Sequence, residues 1–324
     1  MPIPEYFALQ DNRMPRIGFG TWQAADDVLE KAVESALVAG YRHFDSARAY
    51  ENEAALGRAL RRWIDGDPAK RKELFVVTKL PPSGNRPDLV PEYFEGSFND
   101  LGLDYLDLYL MHTPFAFEHV PGDLHPKNPD GTMKVDHTTD MIGVWKALLK
   151  LKETGRVRHV GVSNVNEEQL RRLCAVEKPE CLQIEMHLLC QQKAMISVAK
   201  ELGIPVVAYS PLGSKALTDA LAAKNGRVYP DLLKLPVVVK IAEAHKRTPA
   251  QVLLRHLLQS GAAAIPKSTN PTRIKQNISI WDFELTDEEM NALCALDKGE
   301  DGRICDFSFF PGMEKHPEFP FKKQ

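Results

Sequence analysis

GYRHFDSARAYENEAALG, residues 40–57, holds the end of one helix, a short strand and the start of a second helix. An apolar run of Val33, Ala36, Leu37 and Val38 stops at Gly40, which reads as a helix C-cap, and residues 41–44 are short enough for one buried strand. Asp45 falls at the carboxyl end of that strand. Glu51, Ala54, Ala55, Gly57 and Leu60 then recur at helical spacing, so the loop carrying Tyr50 joins strand to helix. A buried Asp calls for a cation. A Tyr that gives up a proton near neutral pH does too, because its ordinary pKa is about 10. The chain is therefore expected to bring a Lys, and a His with it, to the loop between Asp45 and Tyr50.

Outward from this stretch, short apolar runs alternate with amphipathic ones. Ile17-Gly18-Phe19-Gly20 reads as a first strand, followed by a helix over 26–38; before it, residues 7–9 and 14–17 flank Asp11-Asn12 as a small hairpin. Further strands are expected at 74–79, 105–111, 157–162, 182–185, 205–209 and 262–265. Helices are expected from about 86–87 and over 138–154, 166–174, 193–202, 237–245, 249–259 and 271–280. Long loops over 114–136 and 210–230 interrupt the alternation, and loops of that length are usually functional or disordered. A helix over 286–296 and an irregular tail from Gly299 come last. Alternating strand-and-helix units predict an α/β chain folded as one (β/α)8 TIM barrel over 1–324. It has an N-terminal β-hairpin, long loops at the carboxyl face and an irregular C-terminal tail. A doubly wound nucleotide fold would need GxGxxG; Gly18-Phe19-Gly20 continues as Thr21-Trp22-Gln23, so a dinucleotide has to be held in another way.

Composition narrows the partners. A hydrophobic content of 44%, a charged content of 26% and a net charge of −3 describe a soluble globular protein with no basic face for nucleic acid. Apolar runs such as 204–208 fall far short of the roughly 20 residues of a membrane span. The start, MPIPEYFALQDNRMPRIGFG, lacks the charged beginning and apolar core of a signal peptide. Cys174, Cys181, Cys190, Cys294 and Cys305 are odd in number and form no CxxC, which suggests neither a disulfide framework nor a zinc site. A cytoplasmic protein without a metal is expected. No apolar stripe outside the barrel pattern suggests assembly, so a monomer is expected as well.

The chemistry lies at the strand ends. Asp45 follows the second strand, Lys79 ends the third and His112 ends the fourth, all on the carboxyl face where barrel active sites occur. With Tyr50 they make a proton-transfer group: Lys79, held charged by Asp45, would stabilise tyrosinate and depress the Tyr50 pKa, while His112 would orient a carbonyl oxygen. Taken singly, Asp45 and Lys79 could be a structural ion pair and His112 a satisfied core histidine. Their placement on three successive strand ends makes coincidence much less plausible.

Over nearly its whole length the chain resembles the aldo-keto reductases. GYRHFDSARAYENEAALG matches the family's first signature, the strand ending at His112 its histidine strand, and IPKSTNPTRIKQN (265–277) its cofactor signature. The resemblance implies a catalytic tetrad of Asp45, Tyr50, Lys79 and His112 and the cofactor NADPH/NADP+. Ser163, Asn164 and Gln183 would meet the nicotinamide carboxamide, with Tyr209 stacked on the ring and Thr21 also among the cofactor contacts; Asn and Gln offer donor and acceptor together, as a carboxamide requires. Ser210, Leu212 and Ser214 correspond to the loop over the pyrophosphate. Lys267, Ser268, Asn270 and Arg273 correspond to the 2′-phosphate pocket, and Gln276 and Asn277 to the adenine contacts.

For the substrate pocket the resemblance implies Trp22, Thr113, Cys305 and Phe307. Pro81 and Thr113 stand where aldose-reductase-like members often carry Trp, which predicts a wider pocket unless Phe307, Phe309 and Phe310 fold in and fill it. The expected function is NADPH-dependent reduction of aldehydes and ketones, with a small-molecule carbonyl as the partner. Two alternatives are an NADP-linked hydroxysteroid or polyol dehydrogenase, distinguished by relative rates with NADPH and NADP+, and a non-enzymatic cofactor-binding barrel, which the intact tetrad disfavours.

Overall fold

The computed structural model describes residues 3–10 and 12–321. An antiparallel hairpin, β1 (Tyr6–Ala8) and β2 (Arg13–Pro15), opens it, pairing Tyr6 with Pro15 and Ala8 with Arg13. Leu9 N donates to the Asn12 carbonyl across the turn; Asp11, which was expected there, lies outside the described residues. Then follow β3 (Phe19–Gly20), α1 (Asp26–Ala39), β4 (His43–Asp45), α2 (Glu53–Ile64), α3 (Pro68–Glu73), β5 (Phe75–Leu80), α4 (Val90–Leu101), β6 (Leu106–Met111), α5 (Met141–Glu153) and β7 (Val157–Ser163). The second half runs α6 (Glu167–Cys174), β8 (Leu182–Glu185), α7 (Lys193–Leu202), β9 (Val206–Tyr209), α8 (Lys215–Asn225), α9 (Pro236–His245), α10 (Pro249–Gln259), β10 (Ala263–Ala264), α11 (Pro271–Ile278) and α12 (Asp287–Cys294).

Strands β3 to β10 pair in sequence order, each parallel to the next. The sheet closes on itself where Ile17 bridges Ala264: Gly18 N donates to the Ala264 carbonyl at 2.9 Å and Ala264 N to the Arg16 carbonyl at 2.8 Å. This is the expected (β/α)8 barrel.

Side chains alternate along each strand, and that alternation builds the site. Val76 and Leu80 of β5, with Tyr109 and Met111 of β6, face the helices, in a buried layer shared with Leu56, Leu60, Phe94 and Trp145. Phe75, Val77, Leu108, Leu110, Val207, Ala263 and Ile265 face the lumen, where Met14 of the hairpin packs among them. Two residues further on, the lumen parity reaches Lys79 after Val77, His112 after Leu110, Tyr209 after Val207 and Lys267 after Ile265. The polar residues thus sit above a lumen of mainly apolar side chains, in which His43 and His159 pack on the Phe75 ring. Outside, Gly57 lets α2 lie against α4, since a Cβ there would run into the Leu101 carbonyl.

Several boundaries differ from expectation. The loop expected over 210–230 contains α8, whose buried residues Leu217 and Leu221 pack on Ile304 of the tail. Helix α3, capped at its start by the Asp67 side chain accepting from Ala69 N, was not anticipated. Helix α4 begins at Val90 rather than near 86–87, after a turn in which Leu89 N donates to the Arg86 carbonyl. Helix α5 begins at Met141 rather than 138, because Asp136 Oδ1 takes both the backbone N–H and the hydroxyl of Thr138 into a side-chain turn.

Candidate active site

Asp45 and Lys79 are both buried at the top of the lumen, with Lys79 Nζ 2.5 Å from Asp45 Oδ1. The ammonium also donates to the Ser46 carbonyl at 2.7 Å and reaches the Tyr50 hydroxyl at 3.5 Å. Its three N–H groups therefore have three acceptors. Asp45 Oδ2 accepts from Gln183 Nε2 at 2.7 Å, so both carboxylate oxygens are engaged. Burial alone would pull the Lys79 pKa down, but the charge of Asp45 and the Tyr50 hydroxyl hold it above its ordinary value.

Tyr50 ends a 3₁₀ turn, Arg48–Tyr50, that leaves β4 and leads into α2. Its ring meets that of His112 edge to face, centroids 5.7 Å apart. Burial pushes the Tyr50 pKa above its ordinary value, and the opposing effect of Lys79 is smaller. This corrects the expectation of a depressed value: the lysine acts in the expected direction, but desolvation of the phenol outweighs it. Burial, then Lys79 and His125, push the His112 pKa well below its ordinary value, which keeps the imidazole neutral.

A network of hydrogen bonds behind these residues fixes the turn that carries Tyr50. Asn52 donates to the Thr21 and Ala24 carbonyls and accepts from Ser46, while Thr21 donates its hydroxyl to the Asp45 carbonyl. Glu53, buried at the start of α2, accepts from the Thr78 hydroxyl at 2.5 Å and pairs with Arg48 at 3.3 Å. One carboxylate thus bridges the neighbour of Lys79 and the turn that ends in Tyr50; Arg48 also pairs with Asp100 on α4. Glu53 was not among the expected site residues. Its signal was an acid on the apolar stripe of α2, three residues before Leu56.

Along the rim, Asn164 donates to the His112 carbonyl at 2.9 Å and to the Ser163 hydroxyl at 3.1 Å, and accepts from the Tyr209 hydroxyl at 2.6 Å. Asn164, Ser210 and Ser214 all have positive φ, at 60°, 51° and 38°. Leu212 is half-buried between the two serines. Across the rim, Asn270 caps α11 by accepting from Arg273 N at 3.0 Å; Asn270 N and Arg273 Nε both point at Ser268 Oγ. Gln276 and Asn277 lie in the last turns of α11. Burial and then the charge of Arg273 lower the Lys267 pKa. Among the described residues neither cation has a carboxylate partner, which leaves both free to pair with an anion.

The tail folds in over the mouth. Phe307 is buried against Phe115, ring centroids 5.0 Å apart, and is stacked on Phe321 at 5.5 Å. Phe309 packs on Phe307, centroids 5.7 Å apart, and also against the cluster of Leu217, Leu221 and Ile304 that Trp22 and Cys305 border. Phe310 packs edge to face on Phe117, centroids 5.1 Å apart, so all three tail phenylalanines turn inward onto other aromatic or apolar side chains. Thr113 is buried, with its hydroxyl donated to the Phe115 carbonyl at 3.0 Å, so it offers that proton to its own loop and not to the lumen.

A closed eight-stranded parallel barrel thus gathers a buried Asp-Lys pair, a Tyr and a neutral His at its carboxyl mouth, the face where barrel enzymes place their active sites. Residues 16–298 match the model of the Aldo/keto reductase family, and the chain belongs to that family, whose members are NADP-dependent oxidoreductases acting on carbonyl groups. It is 43% identical over 290 residues to aldo-keto reductase family 1 member A1 of Gallus gallus, covering 88% of this chain and 86% of that protein. It is 37% identical over 319 residues to prostaglandin F synthase 2 of Bos taurus, covering 96% and 95%. The solved structure of the aldose reductase from Schistosoma japonicum matches with a TM-score of 0.88 at 36% identity, over 100% of both chains.

Proposed function

We propose that this protein reduces aldehydes and ketones to alcohols with NADPH, and that Tyr50 is the proton donor. The observation that carries this is the direction of the Lys79 hydrogen bonds. With two N–H groups committed to Asp45 and Ser46, the third reaches the Tyr50 oxygen as donor, so the phenol's own proton points elsewhere, toward the mouth. The 3.5 Å separation is long, as such contacts often are before substrate binds. Once the proton leaves, Lys79 stabilises the phenolate and Asp45 keeps Lys79 charged and aimed. Neutral His112 has one N–H to give to a carbonyl oxygen, which orients the carbonyl and polarises it.

NADPH supplies the hydride. Lys267, Ser268, Asn270 and Arg273 would hold its 2′-phosphate, Gln276 and Asn277 its adenine, and Ser210, Leu212 and Ser214 its pyrophosphate. Ser163 and Asn164 would face the carboxamide with Thr21 nearby, and Tyr209 the ring. Gln183 spends its N–H on Asp45 and retains Oε1 as an acceptor for the carboxamide N–H. Trp22, Cys305 and Phe307, with Thr113 behind Phe115, shape the space for a small-molecule carbonyl. The same proposal takes the protein as a cytosolic monomer; its five cysteines are all free thiols, as a reducing compartment requires.

Tyr50→Phe tests the assignment. It keeps the ring that packs on His112 and removes the acid, so turnover followed at the NADPH absorbance band should fall about 10²–10⁴-fold while NADPH affinity by fluorescence stays near the parent value. A variant that reduces a good aldehyde at close to the parent rate sinks the proposal.

A further inference from the structure

Glu185 is the last residue of β8, two positions beyond Gln183, and is fully buried. It makes no contact with the Asp45–Lys79 pair. Its Oε1 accepts from Ile304 N at 2.7 Å and from His187 Nε2 at 2.9 Å; its Oε2 accepts from Cys305 N at 2.8 Å, with Arg303 Nη1 3.8 Å away. Leu189 N donates to His187 Nδ1 at 3.3 Å, so the ring proton sits on Nε2, where it meets the carboxylate. A buried charge thus has as its main partners two backbone amides of an irregular segment more than a hundred residues away. An independent contact brings the same segment to the same loop: Gly302 lies where a Cβ would run into the Leu189 carbonyl, and Lys298 N donates to that carbonyl at 2.9 Å. Cys305 and, a few residues on, Phe309 pack against the same buried cluster of Leu217, Leu221 and Ile304 that Trp22 packs against, and Phe307 packs on Phe115.

We propose that Glu185 is a specificity-determining positioning residue: its buried carboxylate latches the amides of Ile304 and Cys305 and so fixes where the strap bearing Cys305, Phe307 and Phe309 walls the carbonyl pocket. This rests on the reductase activity proposed above. Glu185 acts through the strap, on the fit of large substrates, and not on proton transfer. A carboxylate is needed because three donors converge on two oxygens. Glu185→Gln keeps the size but turns one oxygen into an N–H donor, which leaves at least one strap amide facing another donor.

The test compares the parent with Glu185→Gln in two measurements. Hydrogen exchange of the free protein reads the latch directly: amides in 303–310 should exchange at least about tenfold faster in the variant, with β5 and β6 unchanged. Steady-state reduction reads specificity: KM for 4-nitrobenzaldehyde, large enough to meet the Trp22–Phe309 wall, should rise about tenfold, while KM for glyceraldehyde moves less than about threefold and kcat falls less than the larger KM rises. Equal changes for both aldehydes, or unchanged exchange over 303–310, overturn the proposal. If the parent reduces neither aldehyde, the reductase activity is what fails, and the exchange experiment still decides the latch. Should Glu185→Gln not fold, Arg303→Gln, which removes the guanidinium beside Glu185 Oε2 together with its contacts to Glu300 and the Phe321 ring, must give the same split; its absence there counts against the latch.

Discussion

Replacing Lys79 with Met separates the lysine's structural role from its chemical one. The substitution nearly conserves volume, so little cavity forms in a position that is fully buried. What it removes is the cation 2.5 Å from Asp45, leaving that carboxylate with Gln183 Nε2 as its only side-chain donor among the described residues. Breaking a buried pair by deleting one partner costs about 3–5 kcal/mol. For a chain of this size that is a fall in Tm of roughly 6–10 °C, at about 2 °C per kcal/mol. Adding Asp45→Asn removes the stranded charge and should return most of that loss. Turnover should not return, since the Tyr50 phenolate would still lack a neighbouring cation. Calorimetry and single-turnover NADPH oxidation on parent, both single variants and the double variant complete the cycle. A double variant as unstable as Lys79→Met, or a Lys79→Met protein within about tenfold of the parent rate, would refute the reasoning.

At the other end of the mouth, Arg273→Leu should raise the Kd for NADPH by roughly 10–100-fold and the Kd for NADH much less, because one charge-assisted phosphate contact contributes about 1.5–3 kcal/mol; fluorescence titration giving equal effects on both would dismiss the phosphate site. Thr113→Trp should raise KM for a bulky ketone and leave glyceraldehyde little changed if Thr113 borders the substrate, whereas similar changes for both show that it serves only its own loop. For Asp136, burial alone would raise the pKa, but the Thr138 hydrogen bonds and Arg86 hold it below its ordinary value. A depressed carboxylate stabilises the fold above its unfolded pKa of about 3.9 and loses that contribution as pH falls through the lowered value. Asp136→Asn should therefore melt lower than the parent at pH 7, with the gap closing below about pH 4; a gap that does not depend on pH would exclude this origin.

The fold was legible because parallel barrel strands are buried on both faces and read as apolar runs. Against that background a polar residue two positions past the last lumen-facing apolar one stands out, which is how Lys79 and His112 could be found from order alone. Helix α8 was not legible: Leu217 and Leu221 are its only buried apolar pair, and Gly213 and Gly226 at its ends read as loop. Pairings across the barrel were hidden too. Gln183 meets Asp45 across 138 positions, and Glu185 meets Ile304 across 119, so both depend on a register that no local pattern carries. The direction of the Tyr50 pKa belongs with these. Residue types give the sign of the lysine's effect, but the desolvation that outweighs it is a property of the assembled mouth.

Backbone conformation ties the rim to the chemistry. Of the non-glycine residues with positive φ, Asp65 and Lys246 close helices and Gln192 opens one, where a left-handed residue completes the end. Gln23, Asn164, Ser210 and Phe307 have no such office, yet each follows a strand or sits in the strap at the carboxyl mouth. Each costs on the order of 1–3 kcal/mol unless the surroundings over-determine it. At Asn164 they do: its side chain bonds the His112 carbonyl, Ser163 and Tyr209, and its N–H bonds the Gln183 carbonyl at 3.1 Å. The left-handed turn is what lets one residue after β7 reach β6, β8 and β9 together. An extended residue there would follow the strand and lose those contacts. The strain is therefore held where four strands must present polar groups to one small volume, while the apolar layers beneath supply the packing that keeps it.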